Sequence, residues 1–201
     1  MREGLAYLWR TGKLRYGVAL STMNNIALGG FEVLVVFRLR QSLGASSAVT
    51  GLVFASGGLA AFLTSLVVRR IAARLGLLSG MGLGLAGIGA AGLLLAAAPT
   101  TWLVAVAQAL NITFGLVFNV CWRTYRQNHC ESSMIGRVSG ACRGIAYCGA
   151  TIGSGLCAAS LAVGLPATDY LYVGGVMVLA LALLSRRLFR EADPGAVQSH
   201  G

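Results

Sequence analysis

Acidic side chains are scarce in this chain. Six aspartates and glutamates stand against sixteen lysines and arginines, and charged residues of both signs make up only 11%. A soluble domain carries about 25% charged residues, so this composition excludes an ordinary water-covered globule. Histidine is scarcer still: His129 falls in a turn and His200 in the tail. A serine hydrolase working inside a bilayer therefore lacks its base, and no enzyme is expected. Cysteine occurs five times, as Cys121, Cys130, Cys142, Cys148 and Cys157, an odd number with no C-x-x-C. That excludes a closed disulfide framework. His129, Cys130 and Glu131 adjoin, but a metal needs three or four convergent ligands and nothing nearby completes the set. No metal and no cofactor are expected.

What is present is apolar. Hydrophobic residues make up 56% of the chain and the mean hydropathy is +0.74. Six apolar stretches run over residues 16–37, 48–68, 77–98, 101–122, 138–160 and 169–185. A helix of about 20 residues crosses a hydrocarbon core of about 30 Å, so the sequence predicts an all-α integral membrane protein with six transmembrane helices. Residues 1–15 form an amphipathic segment on the cytoplasmic surface, with Leu5, Leu8 and Trp9 on one face. Residues 16–190 form the membrane domain, and residues 191–201 a flexible cytoplasmic tail. The charged start and first apolar run do not make a signal peptide: the run is too long and lacks a small-residue cleavage site.

The basic residues avoid one side. With the amino terminus on side one, that side collects Arg2, Arg10, Lys13, Arg15, Arg69, Arg70, Arg74, Arg123, Arg126, Arg137, Arg186, Arg187 and Arg190. The other side collects Arg38 and Arg40. Thirteen against two places side one and both termini in the cytoplasm of a cell-membrane protein. A net charge of +10 and a pI near 10.2 suggest nucleic acid in a soluble protein. Here the charge sits in short turns, where topology and anionic lipid headgroups account for it, so no nucleic-acid partner is expected.

Glycines crowd the third and fifth stretches. Gly80-x-x-x-Gly84, Gly140-x-x-x-Gly144 and Gly149-x-x-x-Gly153 each place small residues on one helix face, predicting close helix packing.

Two helices carry polar stripes. In the first, Asn25, Gly29 and Glu32 are spaced by four and three; in the fourth, Gln108, Asn111, Gly115 and Asn119 by three, four and four. Amides can bridge helices as hydrogen-bond glue, but two whole stripes favour a cavity with a substrate or proton pathway through Asn25, Glu32, Gln108, Asn111 and Asn119. Glu32 is the only acidic residue placed well inside a helix. Desolvation disfavours a charged carboxyl at depth, which suits proton coupling; its alternatives are solvation near the outer surface or pairing with Arg38 or Arg40. The stripes occupy the first helix of each group of three. Three crossings reverse direction, so the two triplets form inverted repeats, a plan common in secondary transporters.

Four segments carry a family resemblance. They are Arg2-Glu3-Gly4-Leu5-x-x-Leu8-Trp9-Arg10; Arg69-Arg70-Ile71-Ala72-Ala73-Arg74-Leu75-Gly76; Arg126-Gln127; and Ile135-Gly136-Arg137-Val138-Ser139-Gly140. The chain resembles the major facilitator superfamily over nearly its whole length, and more narrowly the carboxy-terminal half of its macrolide-efflux and siderophore-exporter branch. In the family loop G-x-x-x-D-R-x-G-R-R/K, Arg69 stands at the first glycine, Ala73 at the aspartate, Arg74 at the arginine and Gly76 at the second glycine. Leu77 and Leu78 replace the closing basic residues. The acidic partner that a salt-bridge gate at Arg74 would use is absent from this loop.

The resemblance implies proton-coupled efflux of a small amphipathic molecule by alternating access. The cavity needs a second six-helix half or a second copy as its other wall. Arg137 and Arg143, at the start of the fifth helix, are candidates for a gate or for loop docking, against topology and snorkelling alone. A non-transporting membrane remnant or a structural or regulatory six-helix protein stays open as the alternative.

Overall fold

The computed structural model describes the backbone of residues 2–192 and the side chains of residues 3–185. Those residues form eight α-helices and no strand: α1 (Arg2–Arg10), α2 (Gly12–Leu28), α3 (Phe31–Phe37), α4 (Ser47–Leu75), α5 (Leu77–Ala97), α6 (Thr101–Asn128), α7 (Ile135–Ala162) and α8 (Ala167–Ala192). A π-helical turn, Arg38–Ser42, continues α3. Taken as one span, Gly12–Ser42 joins α4, α5, α6, α7 and the Ala167–Ser185 part of α8 as six helical spans long and apolar enough to cross a membrane.

The spans outrun their apolar runs. α4 continues through Arg69, Arg70 and Arg74, and α6 through Arg123 and Arg126. Arginine is a good helix former, so a helix need not stop where the hydrocarbon ends. At 28 residues, α6 is about 42 Å long. At the other end of the chain, α8 reaches Ala192, into the segment expected to be tail; the remainder of that tail, 193–201, lies outside the described residues. Helices α4 and α5 share Gly76 as their only joint. Its φ of +77° is one that side chains resist, so the chain turns there without a loop.

The packing is two-fold. α2 packs on α7 and α8, α6 packs on α4 and α5, and α5 packs on α8. Exchanging the first three spans for the last three maps this pattern onto itself. The six spans are two inverted three-helix repeats.

Glycine sets the distances between helices. In α5, a Cβ on Gly84 would meet Phe118 backbone nitrogen at 2.8 Å, and one on Gly80 would meet the Cys121 sulfur at 2.5 Å, both on α6. On another face of α5, Gly89 lies against Gly175 and Leu179 of α8. Between α2 and α7, a Cβ on Gly153 would stand 2.5 Å from the Ile26 carbonyl oxygen, and one on Gly29 2.7 Å from that of Ala150. Close backbone approach supplies packing energy where lipid gives helices no hydrophobic drive to associate. Gly140 and Gly144 differ. A Cβ on either meets nothing within 4 Å, so this pair opens onto the surface of α7 rather than into a helix contact as expected. Spacing fixes which residues share a face, not which face is covered.

The amphipathic segment is also placed differently from expectation. α1 packs on α7 and α2. Leu8 is fully buried and Leu5 half-buried, while Trp9 is exposed. Leu8 is therefore spent on protein contact, and Trp9 faces away from it.

Candidate functional site

The first span is broken. α2 ends at Leu28 and α3 begins at Phe31, with Gly29 and Gly30 between. Backbone carbonyls around a break need partners when water is excluded, and side chains from the neighbouring helices provide them. The Ser154 hydroxyl donates to the Gly29 carbonyl at 2.8 Å. The Tyr170 hydroxyl lies 3.1 Å from the Ile26 carbonyl and 2.9 Å from that of Gly153. The break separates the two ends of the expected polar stripe. Gly29 faces α7, so Asn25 and Glu32 do not share one continuous cavity face.

Asn25 lies below the break. Its amide donates to the Ala146 carbonyl of α7 at 3.1 Å, and the residue lines a cavity of about 390 Å³ between α2 and α6. Asn24, Asn111, Gly115 and Asn119 line the same cavity, with Ile88 of α5 among its apolar walls. Asn24 was not singled out by spacing, yet its carbonyl oxygen is buried with no hydrogen-bond partner. Asn119 donates back to the Gly115 carbonyl of its own helix at 2.9 Å. Four amides thus face one space, able to donate to or accept from a polar solute.

Glu32 lies beyond the break and lines neither of the cavities described here. Its side chain is exposed, so of the readings open for Glu32 the one that buries it at depth does not hold. The Gln108 amide donates to Glu32 Oε2 at 3.0 Å and lies 3.3 Å from Oε1. Gln108 is only 1% exposed, and its own carbonyl oxygen lacks a partner. Arg38 donates to the carbonyls of Ala98 at 3.0 Å and Ala96 at 3.3 Å. Arg40 donates to the Ala45 carbonyl and the Ser47 hydroxyl. Both guanidinium groups are thus engaged with the segments that join helices.

A second cavity, about 360 Å³, abuts the first and shares Ser21, Asn25 and Asn119 with it. Its remaining lining includes Trp122, Arg123, Arg126, Arg143 and Tyr147. Along α6, Asn111 lies about 15 Å from Thr101, Asn119 about 27 Å and Arg126 about 37 Å at 1.5 Å per residue. The two cavities therefore form one path from the arginine-rich end towards mid-bundle. Spacing could have extended the stripe this far, since Asn119, Arg123 and Arg126 continue it by steps of four and three.

Of the three candidate gate residues, Arg143 lines this path. Arg137 instead pairs with Glu3 of α1 at 2.6 Å. Arg74 is exposed in the last turn of α4. His129 Nδ1 lies 2.9 Å from the Tyr125 carbonyl, and its ring packs on Tyr125. Among the described residues, no three histidine, cysteine, aspartate or glutamate side chains gather to hold a metal.

A polar path between the first and fourth spans of an inverted-repeat bundle is a transporter feature. The family model for the Major Facilitator Superfamily matches residues 17–201. The chain belongs to the major facilitator superfamily. No curated protein and no solved structure matched it in the corresponding searches. As a superfamily member with six apolar spans, it is a multi-pass membrane protein of transporter type.

Proposed function

We propose that this chain is one six-helix half of a secondary active transporter that exports a small amphipathic molecule by alternating access, driven by protons. The observation that carries the reading is the path between α2 and α6, lined by Asn24, Asn25, Asn111 and Asn119. Its wall is incomplete without a second six-helix unit, which this reading supplies either from the same polypeptide or from another, as a partner or a second copy. The narrower resemblance to the carboxy-terminal half of macrolide and siderophore exporters belongs to the same proposal. So does the placing of both termini in the cytoplasm of a plasma-membrane protein, which the arginine asymmetry supports.

Glu32 is the proton-responsive group in this reading. It stands on the span that carries the break and is bonded to the span opposite. Loss of a proton strengthens its bond from Gln108, and gain of one weakens it, because a charged acceptor makes the stronger bond. Protonation thus loosens the tie between the two cavity helices.

The test uses vesicles containing the complete assembly, loaded with an amphipathic dye and given a pH gradient. Gradient-dependent efflux is the expected result. Glu32→Gln, with the same shape and no charge, should flatten the pH dependence while expression is kept. Efflux with unchanged rate and pH dependence would move the coupling site elsewhere. The absence of any dye movement by the assembly, across a panel of amphipathic cations, neutral compounds and anions, would favour a non-transporting six-helix protein.

A further inference from the structure

Three arginines meet at the second cavity, and among the described residues no acidic one lines it. Arg123 and Arg126 come from the last two turns of α6, and Arg143 from the third turn of α7. The described acidic side chains are placed elsewhere. Glu3 is paired with Arg137, and Glu32 is bonded to Gln108. Asp169 accepts from Thr168, and Glu131 is exposed in the turn beyond α6. Arg126 is the telling member. It is only 7% exposed, and its Nε has no hydrogen-bond partner. Its guanidinium lies 5.6 Å from the Trp122 ring centroid and beside the Cys142 thiol. Neither neighbour carries a compensating charge, and a cation removed from water is costly without one.

We propose that this cavity binds an organic anion, with its carboxylate or phosphate seated on Arg126 and its apolar part against Trp122 and Tyr147. A guanidinium presents parallel N–H donors that match two oxygens of such a group. Arg123 and Arg143 add a positive potential at the cavity walls, and a recessed site concentrates that field on an incoming anion. Because this cavity shares Asn25 and Asn119 with the asparagine-lined one, an anion held here stands at the mouth of the path. Its role as the loading position for an anionic amphipathic substrate rests on the transporter reading; the binding itself does not. The same chemistry would accept the phosphate of an anionic lipid headgroup.

The full chain, with Trp9→Phe and Trp102→Phe so that Trp122 alone fluoresces, is placed in phosphatidylcholine nanodiscs. It is titrated with 4-iodobenzoate and, separately, with uncharged 4-iodobenzamide. Saturable quenching by the carboxylate is expected, with the amide at least tenfold weaker. Arg126→Gln should weaken carboxylate binding at least tenfold. The double variant Arg123→Gln/Arg143→Gln, which changes only exposed side chains, should weaken it several-fold and serves if Arg126→Gln does not fold. Repeating the titration in phosphatidylglycerol nanodiscs separates the two sources. A tenfold loss of iodobenzoate affinity there identifies the headgroup as the occupant and supports the anion site; unchanged affinity supports a free organic anion. Equal quenching by the two probes in phosphatidylcholine, or no effect of the double variant, overturns the proposal. No saturable quenching by the carboxylate in the chain with all three arginines intact, with vesicle efflux present, would sink the anion site alone. Binding retained with no efflux would sink the transporter reading alone.

Discussion

The Gln108 amide donates to the Glu32 carboxylate at 3.0 Å, and this contact joins the first span to the fourth near the end away from the arginine-rich mouth. Hydrogen bonds between membrane helices average about 0.6 kcal/mol and reach about 1.7 kcal/mol. The pair should therefore matter little to stability and more to how the two helices move. A double-mutant cycle with Glu32→Gln and Gln108→Leu, read by unfolding in mixed micelles, should give a coupling within about 2 kcal/mol. A coupling indistinguishable from zero would mean that the contact holds nothing together.

Gly153 and Gly140 lie on the same helix and give opposite predictions. A Cβ on Gly153 would sit 2.5 Å from the Ile26 carbonyl oxygen, against backbone that cannot swing aside, whereas one on Gly140 meets nothing within 4 Å. Gly153→Ala should cost about 1–3 kcal/mol through overpacking. Gly140→Ala should be neutral to stabilising by up to about 1 kcal/mol, because alanine favours helix over glycine. Thermal unfolding of the two purified variants separates them. Equal destabilisation would mean that the open face of α7 is covered within the monomeric half.

Much of the fold was legible because the membrane enforces it. Length, apolarity and the arginine turns mark the six spans, and the polar stripes on the first helix of each triplet pointed to the repeat that the packing displays. The site was legible in part. Asn25, Asn111 and Asn119 line one cavity, while Gln108 and Glu32 form a separate pair. The difference comes from Gly29 and Gly30, which end α2 and restart the helix as α3. A helical wheel carried across such a break assigns faces that the chain does not have. Arg123 and Arg126 were read for topology alone and Arg143 as a gate or docking candidate, so the charge they share at the second cavity went unnoticed, although Arg123 and Arg126 follow Asn119 at helical spacing.

Arg137 and Glu3 form an ion pair at 2.6 Å, but both side chains are more than half exposed. Exposed pairs are worth about 0–1 kcal/mol, so Arg137→Gln should leave α1 in place. The apolar contact is stronger: Leu8 is fully buried, and a Cβ on Gly4 would lie 2.7 Å from the Arg137 carbonyl oxygen. Gly4→Val should release α1 from α7. Limited trypsin cleavage at Arg10 in nanodiscs reads the difference. Rapid cleavage is expected for Gly4→Val and slow cleavage for Arg137→Gln; rapid cleavage in the latter would show that the ion pair is the clasp.

Cys130 reports on the arginine-rich end from outside the spans. Burial pushes its thiol above the ordinary range; the nearby Arg126 cation pulls it down, and Glu131 pushes it up again. The thiolate is the reactive form. Below the raised pKa, each pH unit should therefore bring about a tenfold rise in labelling, and the rise should continue past the pH at which a free thiol levels off. A chain keeping Cys130 alone, treated with a charged maleimide from pH 7 to pH 9, tests this. Arg126→Gln removes the cation that favours the thiolate, so its labelling should be slower at every pH below the plateau. Added only to the outside of sealed vesicles of known orientation, the same reagent also reports sidedness. Labelling from the cytoplasmic face is expected, and labelling from the opposite face would invert the proposed topology. Unchanged kinetics in Arg126→Gln would mean that the guanidinium does not act on Cys130, and that its charge is already balanced within the cavity.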